Sequence, residues 1–251
     1  MKLLFIHQNM PGQYKHLVHA YAKDKKNQVV FLTKTGKPDI PGVIKMEYQC
    51  LREASPDTHR YLIGLTRDIY KSQEVWRVCK KMKDKGFIPD VIVAHVGWGE
   101  CLFLKDIYPD SPILGFMEFF YSAKGKDVGF LKDYKPNDNI DEEARIRMKN
   151  TMHLLNIHHC DWMITPTFFQ RNAHPEFSFP RMSVLHDGID TDEVKPKKIG
   201  FLALPDGTKL TPDDEVITYI GRNLEPYRGF PQFMYAAEIL LKRRPNAHIV
   251  M

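Results

Sequence analysis

Short apolar runs alternate with helix-spaced segments from one end of the chain to the other. Residues 3–6 form the first run, Leu3-Leu4-Phe5-Ile6. In residues 14–22, which follow, Leu17, Val18 and Tyr21 fall on one helical face. Residues 28–33 are a second strand-like run. Over residues 58–85, Leu62, Leu65, Ile69, Trp76 and Cys79 keep helical spacing, and Gly86 is suited to cap the end. Residues 90–94, 112–117, 162–164 and 183–185 read as further strands. Helices are expected over 100–107, 141–159 with Asp141 as N-cap, and 168–173. The strand runs are continuously apolar, so both faces need cover. Strand–helix alternation of this kind predicts an α/β fold, a Rossmann-like parallel sheet with helices on both faces. Ligands of such sheets bind at the carboxyl ends of the strands.

The pattern breaks after Asp187. Pro196, Pro205 and Pro212 punctuate the next stretch, and Asp206-Gly207 is a hairpin signal. Residues 1–186 are therefore expected to form one domain and 187–214 a linker with a small hairpin. Residues 215–251 then supply a strand, a helix (230–243) and a strand (247–251), the first βαβ unit of a second Rossmann-like domain. On this reading the second domain is incomplete. Between its first strand and its helix stands Gly221-Arg222-Asn223-Leu224-Glu225-Pro226-Tyr227-Arg228-Gly229. Arg222 and Arg228 flank a turn, and Gly229 opens a helix. Arginine forks and helix N-termini both suit phosphate, and Gly221 and Gly229 permit close approach of the backbone. A diphosphate-bearing ligand is the simplest partner.

Composition narrows the class without naming it. The chain has 251 residues, 43% hydrophobic and 27% charged, with a formal net charge of +5. Basic clusters are scattered and lack interleaved aromatics, which argues against nucleic acid. At most they favour weak peripheral contact with an anionic membrane. The apolar N-terminal stretch is too short for a signal peptide and no run approaches a membrane span. Cys50, Cys79, Cys101 and Cys160 form no CxxC pair, and free thiols of a cytoplasmic protein, at most peripheral at the inner membrane face, account for them. The His153, His158, His159, Cys160 group is poorly spaced for a metal on one helix face, so no metal is expected. GxGxxG, GxSxG, Walker A and HExxH strings are absent from the sequence.

Polar residues at the ends of the apolar runs are the remaining candidates. Gly12 lies in the loop after the first strand, with the polar side chains of Gln13 and His16 beside it. His95 ends a strand and precedes Gly97-Trp98-Gly99-Glu100, where Trp98 offers an aromatic face for stacking. Glu118 follows another strand, before Phe119, Phe120 and Tyr121.

Taken together, these motifs resemble family-four glycosyltransferases of the GT-B type. The likeness rests on Asp187-Gly188-Ile189-Asp190 with Pro196 and on Gly221-Arg222 to Arg228-Gly229. One subgroup is approached through residues 8–17, Gly97-Trp98-Gly99-Glu100 with Phe103-Leu104-Lys105-Asp106, and Gly115 to Tyr121. The resemblance implies a first domain that binds the acceptor and a second that binds a nucleoside-diphosphate sugar, with transfer retaining anomeric configuration and no cofactor. Arg228 stands where the family commonly has lysine, and Glu118 where many members have histidine. Glu118 is then the catalytic candidate, accepting a hydrogen bond from an acceptor hydroxyl or facing oxocarbenium charge. Donor phosphate falls to Arg222, Arg228, Gly221, Gly229 and Gly12, and a glycan or lipid-linked acceptor to Gln13, His16, His95, Trp98 and Glu100. The expected role is glycan or polysaccharide biosynthesis, with negligible turnover by this chain alone because the donor domain is incomplete. Alternatives are a non-catalytic glycan- or protein-binding module and a GT-B epimerase.

Overall fold

The computed structural model describes residues 1–130, 140–196 and 200–251. The chain divides into two compact units, residues 1–188 and 189–251. Among the described residues, seven parallel strands form the sheet of the first unit: β1 (Lys2–Ile6), β2 (Gln28–Lys34), β3 (Val43–Tyr48), β4 (Val91–His95), β5 (Ile113–Phe116), β6 (Trp162–Thr165) and β7 (Met182–Val184). Their order is β3-β2-β1-β4-β5-β6-β7. The chain steps outward from β1 to β3, then returns to lay β4 on the other side of β1. The carboxyl ends of β1 and β4 thus flank a topological switch point, where α/β sheets open a crevice.

Apolar side chains on both faces explain why these runs become interior strands. Leu4, Ile6, Val30 and Leu32 pack in one core cluster with Val75, Cys79 and Met82 of α2 (Ile63–Asp84), Leu104 and Ile107 of α3 (Leu104–Ile107), and Ile157. Leu3, Phe5, Val29 and Phe31 point the other way and join Val18 of α1 (Lys15–Lys23) and Tyr14. Gly86, at φ +84°, ends α2: its N–H donates to Lys83 O, and that of Phe87 to Met82 O. Those paired bonds satisfy carbonyls that a helix end leaves open.

Three expectations are corrected. Residues 100–103 form turns, and the helix starts only at Leu104. Residues 141–159 are two helices, α4 (Ile140–Lys149) and α5 (Thr151–His159), divided at Asn150. Since α4 already includes Ile140, Asp141 lies in its first turn rather than at its N-cap. A strand not foreseen, β3, forms one edge of the sheet. The helix expected over 168–173 is α6 (Phe168–Arg171), with the Thr167 side chain accepting from Gln170 N.

In the second unit, β8 (Leu202–Ala203) pairs antiparallel with β9 (Lys209–Leu210) about the Asp206-Gly207 turn. Then β10 (Val216–Thr218), α7 (Phe230–Arg243) and β11 (His248–Val250) make a βαβ unit whose strands pair in parallel. Among the described residues no helix is long and apolar enough to cross a membrane.

Candidate functional site

The switch point gathers rings. His7, directly after β1, and His95, the last residue of β4, are both buried and meet edge-on with centroids 5.2 Å apart. Trp98 stacks flat on His95 at 3.9 Å and 5° and meets His7 edge-on at 5.0 Å. Hydrogen bonds set the state of His95. Its Nδ1 accepts from Gly97 N–H at 3.1 Å, so the ring proton sits on Nε2, which faces Glu118 Oε2 at 3.1 Å. Imidazole N–H therefore orients the carboxylate, while 42% of the Glu118 side chain stays exposed. The Glu118 carbonyl accepts from Gln170 Nε2 at 2.9 Å, which fixes the backbone behind it.

Glycine makes this cluster possible at two points. A Cβ on Gly97 would lie 2.9 Å from His95 Cε1, and one on Gly12, at φ +54°, would lie 2.7 Å from His7 Cε1. Gly12 thus makes room for His7. The His7 Nδ1 accepts from Asn9 N–H at 2.8 Å, and burial, reinforced by His95, lowers its pKa to about 4.

Beside Trp98 opens a cavity of about 230 Å³, room for roughly eight water molecules. Trp98, Tyr61 and Tyr121 give it aromatic walls, and Gly97, Lys149 and His153 also line it. The Lys149 ammonium sits 4.7 Å from the Tyr121 ring centroid. Asn150, at the break between α4 and α5, holds Tyr121 at both ends of its peptide: Oδ1 accepts from Tyr121 N and Nδ2 donates to Tyr121 O, each at 2.8 Å. His153 is buried, its Nδ1 makes no well-formed hydrogen bond, and burial lowers its pKa to about 4. Arg60 also reaches the cavity, but it is tied to Asp141 and Glu142.

The structure brings His95, Trp98 and Glu118 together. Glu100 is 1% exposed and accepts from Tyr48 Oη at 2.6 Å, so it cannot itself touch an acceptor. Burial lifts its pKa to about 7. Gln13 and His16 line a different, mostly apolar groove of about 140 Å³, with Phe116, Leu185, His186 and Asp187. Glu118 is felt at both places, since its charge contributes to raising both Tyr121 and Asp187, after burial in each case.

The donor candidates lie in the second unit, around the turn between β10 and α7. Arg222 is exposed and has no carboxylate within ion-pair distance among the described residues. Arg228 Nε donates to Glu225 Oε1 at 2.7 Å. Gly229, at φ +73°, is the residue before α7, a left-handed conformation that favours glycine. A Cβ on Gly221 would meet the Tyr219 ring at 3.1 Å.

His7, Tyr121 and His153 belong to the cluster and were not among the sequence candidates. His7 carries the same signal as His95, the first polar side chain after a buried run. The sequence over 123–139 predicts no firm element and suits a loop that decides acceptor choice, and residues 131–139 of it lie outside the described residues, as do Lys197 and Lys198 of the basic run Lys195 to Lys198.

Fold and site together describe a Rossmann-like α/β protein with an aromatic cavity and an oriented carboxylate at the carboxyl edge of its sheet. The family model described as "Glycosyl transferase family 4 group" matches residues 25–194, and the chain belongs to that family. Nothing among the curated proteins matches it. Among solved structures it is similar to the UDP-GlcNAc 2-epimerase from Neisseria meningitidis bound to UDP-GlcNAc (13% identity, 100% of this chain and 65% of that one, TM-score 0.45). It is also similar to a UDP-glucosyltransferase from Polygonum tinctorium (9% identity, 74% and 51%, TM-score 0.46) and to Acinetobacter baumannii MurG (10% identity, 74% and 44%, TM-score 0.35). Likenesses this faint bear on neither activity nor ligand. The chain spans 41% to 65% of the length of the first three solved structures it matches.

Proposed function

We propose that this chain carries the acceptor-binding domain, and the start of the donor-binding domain, of a retaining glycosyltransferase. A sugar would pass from a nucleoside diphosphate to an acceptor hydroxyl in glycan or polysaccharide synthesis. Family membership supports the reaction class. The observation that carries the site assignment is Glu118, held by His95 Nε2–H at 3.1 Å, with the ring of that histidine stacked on Trp98 at the cavity wall. An acceptor sugar ring fits against Trp98 and Tyr121, because sugar C–H faces pack on aromatic faces. A carboxylate oriented by an imidazole N–H keeps further lone pairs as acceptors. It can take a hydrogen bond from the attacking hydroxyl or lie near the positive charge that develops at the anomeric carbon.

As that carbon's bond to the diphosphate breaks, negative charge grows on the leaving group. Arg222, Arg228 and the N-terminus of α7 are the groups we assign to it, with Gly221 and Gly229 allowing backbone approach. Arg228 would exchange its Glu225 partner for phosphate.

The test uses the full-length protein. Titration calorimetry with nucleotide sugars is expected to find binding that Arg222→Ala weakens about tenfold or more. A product assay is expected to find that Glu118→Gln lowers turnover about a hundredfold or more while leaving donor binding intact. Unchanged turnover removes Glu118 from the mechanism. Acceptor binding without any transfer points instead to a non-catalytic glycan-binding protein.

A further inference from the structure

A second pocket, of about 100 Å³, lies at the carboxyl ends of the first three strands in the chain. Gln8 follows β1, Lys34 ends β2 and Tyr48 ends β3, while Arg52 comes from the loop after β3 and Arg67 and Lys71 from α2. Four cations and one carboxylate, Glu53, therefore line a space of roughly three water volumes, the scale of one tetrahedral oxyanion. Two of them are already paired: Arg67 Nε with Glu53 at 2.6 Å, and Lys71 with Asp68 at 3.0 Å. Lys34 and Arg52 have no carboxylate within ion-pair distance among the described residues, and Arg52 is held only over the Tyr70 ring at 5.7 Å. The floor is rigid, because the Tyr48 hydroxyl is committed to buried Glu100.

Like charges gathered without enough counter-charge repel one another, and an anion relieves that repulsion. A guanidinium fork beside an ammonium matches a phosphate better than a single carboxylate does. We propose that this pocket binds a phosphate group, with Lys34 and Arg52 as its free cations and Gln8 as a neutral donor. Asp68 lines the aromatic cavity and is ion-paired to Lys71 of this pocket, so one ion pair separates the two spaces. An acceptor that places its sugar against Trp98 and its phosphate here would use both. The assignment of the phosphate to an acceptor rests on the transferase reading; its binding does not.

Inorganic phosphate titrated into the ¹⁵N-labelled protein, at ionic strength held constant with chloride, is the direct test. Saturable amide shifts are expected around Lys34, Tyr48 and Arg52. The affinity is expected to fall about tenfold or more in the Lys34→Ala/Arg52→Ala variant and to be unchanged in Lys242→Ala, a charge control on α7. Both altered side chains are exposed; if the double variant loses spectral dispersion, Arg52→Gln alone carries the same reading. Shifts that do not saturate, that centre elsewhere, or that persist in the variant overturn the proposal. Repeating the titration with glucose 1-phosphate, and sedimentation with phosphatidylcholine vesicles with and without phosphatidylglycerol, separates a soluble phosphate from a lipid headgroup. Neither readout involves sugar transfer, so a failed transfer assay leaves this result standing.

Discussion

Burial acts in opposite directions on the two kinds of titratable side chain beneath the site. The Glu100 carboxyl rises to about 7 from an ordinary 4.5, while His7 and His153 fall to about 4 from an ordinary 6.5. The folded protein thus holds a Glu100 proton that the unfolded chain releases between pH 4.5 and 7, so this group removes stability as pH rises through that window. The histidines work the other way. Unfolded, they take up protons between pH 6.5 and 4 that the folded state refuses, so they remove stability as pH falls. Burial also lowers His174 and raises Asp68 and Asp187, so the contribution of Glu100 is isolated by substitution rather than by the pH profile of the wild type. Glu100→Gln deletes the counterweight. Its stability relative to wild type is expected to rise by as much as about 3 kcal/mol between pH 4.5 and 7.5. Urea unfolding of both proteins at the two pH values reads this, and parallel pH profiles would mean that Glu100 does not titrate in that range.

Asn150 divides α4 from α5 directly after Lys149, which lines the cavity. It interrupts what the periodicity of 141–159 presents as one helix, and its buried amide clamps the Tyr121 peptide with two hydrogen bonds of 2.8 Å. Asn150→Ala leaves both Tyr121 backbone groups without those partners, an expected loss of about 1–3 kcal/mol. The loss would be local, with faster amide exchange at Tyr121 and Ser122 and, on the proposed transferase reading, a raised KM for acceptor at little changed donor affinity. Unaltered exchange there would show that the clamp does not hold the wall.

Elements of this kind mark where the sequence stops being legible. Six of the seven strands announced themselves as apolar runs because they are covered on both faces. The edge strand β3 did not, since Lys45 and Glu47 interleave with Ile44 and Met46 and only Tyr48 is buried. Residues 100–103 had helix-like composition, but Gly99 bends the backbone to φ +96° and packs against Asp68 O, and tertiary contact overrode propensity. The candidates at strand ends, His95 and Glu118, which the fold brings within 3.1 Å of each other, were legible from position. His153 and Tyr121 were not, because a helix face and a loop meet at the cavity only after the sheet has formed.

The two units differ in how much they bury. Central strands β1 and β4 are enclosed on both faces, with Leu4, Phe5, Ile6, Ile92 and Ala94 wholly inaccessible. In the described part of 189–251 only Leu210 and Ala237 are buried hydrophobics, while Ile220 is 91% and Tyr235 72% exposed. A two-stranded sheet with one helix is marginal in water without a larger apolar face. Hydrogen exchange under increasing denaturant is therefore expected to open β10, α7 and β11 first, with protection at least about a hundredfold below that of β1 and β4. The Arg222–Arg228 turn, proposed above as the donor-phosphate site, sits between β10 and α7 and keeps its geometry only while those elements are formed. A ligand that binds the folded turn stabilises it by mass action, so a nucleotide sugar added to the full-length protein is expected to slow exchange in α7 more than in β4. Equal protection of the two units before any ligand is added would mean that they unfold as one cooperative body, and donor binding would then slow exchange in both alike.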